Sequence, residues 1–402
     1  MVVLYGRRRV GKTRLLVHWL KGKNGFYTQA IESGRDLQLQ QVVQDIGAAL
    51  PAGVRPKDWQ EVFALLDLQK SPGVLCIDEF PYLVQSDPSL PSLLQRWLDH
   101  RKHPNPFLIL CGSSRRMMHG LFLNPSAPLY GRAHKVLSIG PMGYLEFCRA
   151  CGLAASGADS FLRFSMVGGI PRYWEFIQKK RDPLQTADEL FFGFAPYMEN
   201  EPRRILSDEQ ITGIHPVSIL EAVGRGAEKP SEIASRLGIP HTQLSKVFTL
   251  LTDADILQRE TPFGESERNP KNVLYKIEDP SLRFWYRVYS SHRSRWHQYS
   301  RAEKRRLLHL HASSVFEDYC RGLYPGSKKY WEKDNEWDLV QEVDKPGGGG
   351  KTLMVGEVKF KRLNPGEKKG LLQSMENRWP KTKLSTHWPR VHFKVLDLSI
   401  LV

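Results

Sequence analysis

The octapeptide Gly6-Arg7-Arg8-Arg9-Val10-Gly11-Lys12-Thr13 constrains the chain more than any other feature. It stands between an apolar run, Val2-Val3-Leu4-Tyr5, and an apolar helical pattern formed by Leu15, Leu16, Trp19 and Leu20. Glycines at this spacing let the backbone turn so that successive N–H groups face inward around phosphate oxygens. Lys12 would reach the terminal phosphates, and Thr13 would offer its hydroxyl to Mg²⁺. The following helix would aim its N-terminal partial charge at the same anion. Strand, loop and helix in this order make Gly6 to Thr13, with Arg14 behind them, the expected nucleotide-binding residues. A chance glycine turn would need neither the lysine nor both flanking elements. Met1 lies only a few residues ahead of the loop. A truncated amino terminus is therefore expected, with an adenine-contacting segment missing and nucleotide affinity lowered.

At roughly 100 to 200 residues per domain, 402 residues allow two to four domains, each able to bury a core. The chain is 41% hydrophobic but has no apolar run near the roughly 18 residues that read as a membrane span, and no basic-then-apolar leader. A cytoplasmic protein with no membrane partner is expected. Cys76 and Cys111 fall inside apolar runs and read as core thiols, and Cys320 as structural. Cys148 and Cys151 form a single C-x-x-C without a second pair. A formal net charge of +15 favours anionic partners, nucleic acid first among them and DNA in particular. Between Arg283 and Arg306 eight basic residues interleave with Trp285, Tyr286, Tyr289, Trp296 and Tyr299. That mixture suits phosphate contacts with base stacking, or equally a solvated helix face whose aromatics pack inward.

Downstream of the loop, Val74 to Ile77 is an apolar strand ending in Asp78-Glu79. Asp78 would hold Mg²⁺, and Glu79 would polarise the water that attacks the γ-phosphate of ATP. A second buried strand, Phe107 to Cys111, ends in Gly112-Ser113-Ser114 and should lie beside the first in a parallel sheet. Ser113 or Ser114 would sense the γ-phosphate, since ligands of such sheets collect beyond the carboxyl ends of the strands. Arg132, in Tyr130-Gly131-Arg132, is the chosen arginine for transition-state charge, in cis or from a neighbouring subunit, ahead of Arg115 and Arg116. From Tyr144 to about Arg204 the pattern is helical. It is broken at Val167-Gly168-Gly169-Ile170-Pro171 and reads as a lid, with Arg172 a further residue that could face nucleotide.

Between Pro216 and Lys276 three short helices and a hairpin are expected. Ile219, Leu220 and Val223 mark the first helix, Ile233, Ala234 and Leu237 the second, and Leu244, Val247, Leu250 and Leu251 the third. Wing strands would run over Leu257 to Glu260 and Val273 to Ile277. This is a winged helix-turn-helix pattern whose third helix presents His241, Thr242, Gln243, Ser245 and Lys246, for DNA or for a protein contact. Further on, Asp338 and Glu357-x-Lys359 have the D…(D/E)-x-K spacing of restriction-endonuclease-like sites. Residues two apart share one face of a strand. Asp338 and Glu357, completed by Glu317, would bind Mg²⁺, and Lys359 would orient water. The alternative is a strand pair with salt-bridging acids and a lysine.

Taken together, GRRRVGKT, IDEFPYLV, LILCGSSRRMM, LYGR and VGGIPRYW resemble the AAA/STAND-like ATPases called the archaeal ATPase family, over roughly the first half of the chain. The resemblance implies ATP binding and slow Mg²⁺-dependent hydrolysis in a switch-like machine. It extends to a C-terminal domain of unknown function with an E…D…E-x-K layout, entered at Tyr275 to Tyr286. The aspartate here follows Trp337 rather than proline. The expected architecture is α/β: a P-loop parallel-sheet core (1–140), a helical lid (141–208), a winged helix (209–278) and a restriction-endonuclease-like domain (279–402). The expected function is an ATPase switch coupled to a DNA-binding, DNA-cleaving C-terminal half, self-assembled or bound to a protein partner. The alternatives are a nucleic-acid-binding or signalling module whose nuclease-like domain is silent, and a scaffold in defence or stress signalling.

Overall fold

The computed structural model describes all residues except 52, 69–72, 102, 267–271, 333–334, 345–349, 389 and 402. The run of four glycines from Gly347 to Gly350, read from the sequence as a loop leading into the Glu357 strand, therefore lies outside the described residues except for Gly350. The chain divides into two compact units. The first comprises Met1–Met142, Ile170–Arg172 and Ile205–Ile211, and the second the remainder. Among the described residues no helix is long and apolar enough to cross a membrane.

Five strands build the sheet of the first unit: β1 (Val2–Tyr5), β2 (Gly25–Gln29), β3 (Val74–Asp78), β4 (Phe107–Gly112) and β5 (Lys135–Ser138). Their order is β2-β3-β4-β1-β5 and every pairing is parallel. Alternation decides what each strand buries. Val3, Tyr5, Leu75, Ile77, Leu108 and Leu110 enter one apolar cluster, with Phe63 stacked on Trp97 at 5.0 Å. Leu4, Cys76, Ile109 and Cys111 enter another, with Leu16 of the helix Lys12–Leu20. Both faces are covered, which is why these strands read as continuous apolar runs rather than alternating ones. Cys76 and Cys111 are buried core thiols, as expected.

In the second unit the helices Ile214–Gly224, Pro230–Leu237 and His241–Asp253 are followed by an antiparallel pair, β6 (Leu257–Glu260) and β7 (Leu274–Ile277). Ile219, Ile233, Leu244 and Leu251 are fully buried, while His241, Thr242, Gln243, Ser245 and Lys246 are exposed. A second sheet follows: β8 (Lys328–Glu332), β9 (Asn335–Asp344), β10 (Lys351–Val358) and β11 (Val391–Leu396), in the order β11-β10-β9-β8. The parallel pair β10 and β11 needs a crossover, supplied by the helix Pro365–Arg378, which Asn364 and Glu367 start with a capping box. The helix Arg301–Gly322 begins in the same way at Ser300 and Glu303.

The basic and aromatic stretch requires a correction. Tyr286, Tyr289 and Trp296 are buried, and Trp296 stacks on Phe192 at 3.9 Å with an interplanar angle of 4°. Trp285 donates its indole N–H to the Glu199 carbonyl at 3.0 Å. Base stacking on Tyr286, Tyr289 and Trp296 is withdrawn, because these rings are core; Trp285 and Tyr299 are half-buried, and the exposed basic residues are Arg287, Arg293, Arg295, Arg301, Arg305 and Arg306. Part of the ring set lies in a π-helical turn, Trp285–Tyr289, whose wider winding turns successive aromatics inward where a 3.6-residue period would expose some of them.

Candidate functional site

Parallel strands deliver their polar ends to one edge of the sheet. β1 pairs with β4 from Val2↔Ile109 to Tyr5↔Gly112, so Gly6 and Ser113 follow side by side. β3, beside β4, brings Asp78 and Glu79 to the same edge. The loop after β1 turns through left-handed conformations at Arg9 (φ 72°) and Gly11 (φ 101°), and the latter immediately precedes the helix Lys12–Leu20. Lys12 is buried, and its Nζ donates to the carbonyls of Gly6 at 2.7 Å and Arg7 at 3.1 Å. Val10 is buried, and Arg14 is exposed on the first helical turn.

Thr13 Oγ1 donates to Asp78 Oδ2 at 2.6 Å. The same oxygen accepts from the Tyr27 hydroxyl at 3.0 Å, and Asp78 Oδ1 accepts from the Glu79 amide at 2.9 Å. Burial, followed by the Asp78 charge, pushes the Tyr27 phenol above its ordinary range. A hydroxyl and a fully buried carboxylate in contact, beside a phosphate-binding loop, form a donor set that fits Mg²⁺ shared with phosphate oxygens. Glu79 takes a left-handed conformation (φ 52°) and begins the helix Phe80–Ser86. Its Oε2 accepts from Ser113 Oγ at 2.6 Å and from the Ser113 amide at 3.2 Å.

Two residues that local pattern did not mark join this edge from the segment Ile205–Ile211 of the same unit. Asp208 pairs with Arg8 NH1 at 2.7 Å, and Arg8 NH2 donates to the Tyr82 hydroxyl at 3.0 Å. Partial burial pulls the Arg8 pKa down, but Asp208, Tyr82 and Glu79 together carry it upward. Glu209 is buried and accepts from Ser114 Oγ at 3.0 Å and from the amides of Arg115 and Arg116 at 3.0 and 3.2 Å. A carboxylate thus caps the helix Arg115–Phe122 where the orphan donors and the positive end of the dipole lie.

Arg132 is not at this edge. It precedes β5, whose first residue Lys135 pairs with Val2, so it belongs to the opposite edge, roughly 13 Å away at about 3.3 Å per residue. There it forms a fork with Asp99 at 3.0 and 2.8 Å. The cis reading of Arg132 is therefore corrected, whereas Arg115 and Arg116 directly follow Ser113 and Ser114.

In the second unit, β9 and β10 bring Asp338 and Glu357 to neighbouring positions, one residue beyond the pair Gly356↔Leu339. Asp338 Oδ2 accepts from the Val358 amide at 2.7 Å. Glu357 is clamped: Oε1 accepts from Lys359 Nζ at 2.7 Å and Oε2 from Arg378 NH2 at 2.9 Å. The Arg378 guanidinium also lies 4.4 Å from the Trp337 ring centre. Burial, with Asp338 as the next cause, raises the Glu317 carboxyl to about 7, and burial also raises Asp338. Lys359 is drawn down by burial, but Glu357, Asp338 and Glu317 bring it above its ordinary value. The four groups thus sense one another. The metal assignment to Glu317, Asp338 and Glu357 nevertheless needs correcting, because both Glu357 oxygens are occupied by cations. Among the described residues no group of three His, Cys, Asp or Glu is placed to hold a metal. Mg²⁺ does not fit this cluster as it stands.

Residues 1–176 match the model of a family described as an ATPase domain predominantly from Archaea. With the loop, the Asp78-Glu79 strand and the parallel sheet, this makes the amino-terminal part a P-loop ATPase domain that binds ATP. An uncharacterized protein of Methanocaldococcus jannaschii is 26% identical over 398 residues, 93% of this chain and 86% of that protein. Among solved structures, the ORC2 protein of Aeropyrum pernix in ADPNP-ADP complexes is similar at a TM-score of 0.43 and 13% identity, over 78% of this chain and 88% of that one. Cdc6p of Pyrobaculum aerophilum is similar at a TM-score of 0.36 and 15% identity, over 72% and 86%.

Proposed function

We propose that this protein is a Mg²⁺-dependent ATPase switch whose C-terminal half engages DNA. Lys12 leaves the Gly6 and Arg7 carbonyls for the terminal phosphates, a charge-assisted exchange of partners. Thr13 and Asp78 would hold the cation, which would neutralise charge developing on the phosphates. Ser113 turns from Glu79 to the γ-phosphate, and the freed Glu79 carboxylate orients water and takes its proton. Arg132 would serve from a neighbouring copy in a homo-oligomer.

The observation that carries the switch reading is the adjacent pair Asp208 and Glu209. One holds Arg8 of the phosphate loop and the other holds Ser114, next to the γ-phosphate sensor. Movement at Ser113 is thereby felt in the segment that leads directly along the chain to Thr212. On this reading the parts are an ATPase core (1–140), a helical lid (141–208), a winged helix (209–278) and a nuclease-like domain (279–402). The exposed side chains of His241, Thr242, Gln243, Ser245 and Lys246 and the +15 charge support a DNA surface.

A second reading, that the C-terminal domain cleaves DNA, is favoured by the meeting of Asp338, Glu357 and Lys359. It requires that Glu357 be released from Arg378 before a metal can enter. The test is plasmid cleavage by the purified protein with Mg²⁺ or Mn²⁺, with and without ATP, beside Lys359→Ala. Cleavage lost in the variant establishes an ATP-linked nuclease. ATP hydrolysis without cleavage leaves the switch with a silent domain, and absence of hydrolysis sinks the ATPase reading.

A further inference from the structure

A cavity of about 380 Å³ opens inside the second unit, between the end of the helix Ile214–Gly224, β7 and the helical stretch from Pro280 to His292. Its charged lining is mostly cationic: Arg225, Lys276, Arg283 and Arg287, against Glu228. Three of these cations are already matched. Arg283 is buried and turns its donors inward, Nε to the Ile277 carbonyl at 2.8 Å, NH1 to Asp318 Oδ2 at 2.7 Å and NH2 to the Glu278 carbonyl at 3.2 Å. Lys276 also pairs with Asp318, and Arg225 pairs with Glu221 at 2.7 Å. Arg287 has no hydrogen bond or ion pair among the described residues. Partial burial and the neighbouring Arg283 charge hold its pKa down, against the pull of Glu228 and Glu317.

Arg287 is exposed and lines the cavity, so its guanidinium can take an anionic group by charge-assisted hydrogen bonds. Neutral partners stand beside it. Ser314 Oγ accepts from Arg283 at 3.3 Å and has no acceptor for its own hydrogen among the described residues. His292 meets the Tyr299 hydroxyl through Nδ1 at 3.0 Å, which leaves Nε2 for another group. Burial, then Arg295, lowers the His292 pKa, which favours the neutral ring as a hydrogen-bond partner. The wall is fixed at Gly224, where a Cβ would lie 2.4 Å from Tyr286 Cβ, so only glycine lets the two helical stretches close.

We infer that this cavity is a second anion site, taking a phosphate-bearing ligand on Arg287 with Ser314 and His292 as neutral partners. Its volume is at the lower end of the roughly 300–1,000 Å³ of small-molecule pockets, enough for one nucleotide-sized group. The phosphate could belong to a free mononucleotide or to one residue of a nucleic-acid strand, because the recognising chemistry is the same. The site is independent of the ATP reading, since none of its residues belongs to the first unit.

The experiment uses the full chain carrying Lys12→Ala, so that the phosphate loop is silent. Calorimetric titration with inorganic phosphate, AMP and single-stranded dT5 tests the site. Binding of AMP or dT5, displaced by inorganic phosphate and weakened at least tenfold by added Arg287→Ala, is expected. The tighter of the two identifies the source, and Arg293→Ala, outside the cavity, should leave it unchanged. No binding by any probe, or binding indifferent to Arg287→Ala, would overturn the proposal. Because Arg287 makes no bond within the described residues, Arg287→Met should hold or raise the Tm of the ligand-free protein. A lowered Tm would mark Arg287 as structural and overturn the proposal as well.

Discussion

The Ser113 hydroxyl donates to Glu79 Oε2 over 2.6 Å, tying the residue proposed to sense the γ-phosphate to the residue proposed to activate water. If that bond holds the carboxylate in reserve, the two side chains should fail in different ways. Glu79→Gln should lower ATP turnover by about 10²- to 10⁴-fold with ATP binding retained, the range for a lost general base. Ser113→Ala should lower turnover by roughly ten- to a hundredfold, matching the 1.5–3 kcal/mol of a hydrogen bond to a charged group. Turnover assays paired with calorimetry check both. A Glu79→Gln protein that hydrolyses ATP normally would contradict the assignment.

Lys12→Ala should abolish nucleotide binding. The lysine is buried and, among the described residues, its hydrogen-bond partners are two loop carbonyls, an arrangement that readily gives way to phosphate. Calorimetric ATP affinity equal to that of the parent would refute the site.

The phosphate loop, the Asp78-Glu79 strand and the Ser113 strand were legible because each is a local signal: a spacing, an apolar run, a polar end. Parallel order then brings the ends together without further information. Glu209 was not legible, since a lone glutamate 95 positions from Ser114 carries no local signature and only the tertiary fold brings them together. Arg378 escaped for the same reason, 21 positions from Glu357 on a helix whose other residues are largely polar. The cis reading of Arg132 misled because a Gly-Arg pair before a strand looks like a site, while the direction of the strand places it at the opposite edge. The rings between Trp285 and Tyr299 misled because a π-helical turn departs from the period on which an exposed face would be read.

Glu317 provides a pH signature. Its carboxyl sits at about 7 in the folded chain against an ordinary 4.5, with burial the leading cause. Between those values the folded chain holds a proton that the unfolded chain has lost. Its contribution to stability is therefore complete below about 4.5 and is lost as pH rises through about 7. Urea midpoints measured from pH 4.5 to 8 should fall less in Glu317→Gln than in the parent. Equal slopes would place the titration elsewhere.

The doubly clamped Glu357 yields a paired prediction. Glu357→Ala with Lys359→Ala should remove any DNA cleavage and leave ATP hydrolysis intact. Arg378→Ala, which frees one Glu357 oxygen, should raise Mn²⁺-dependent cleavage if the domain is active. Cleavage persisting in the double variant would point to another site or a contaminant.

The most direct test of the switch is hydrogen exchange at the Arg115 and Arg116 amides, both of which Glu209 accepts, and across residues 205–211. On adding ATP and Mg²⁺, the account predicts at least tenfold faster exchange at these amides, about 1.4 kcal/mol of released latch, with no change in Lys12→Ala. Identical exchange with and without ATP, in protein shown to bind ATP, would contradict it.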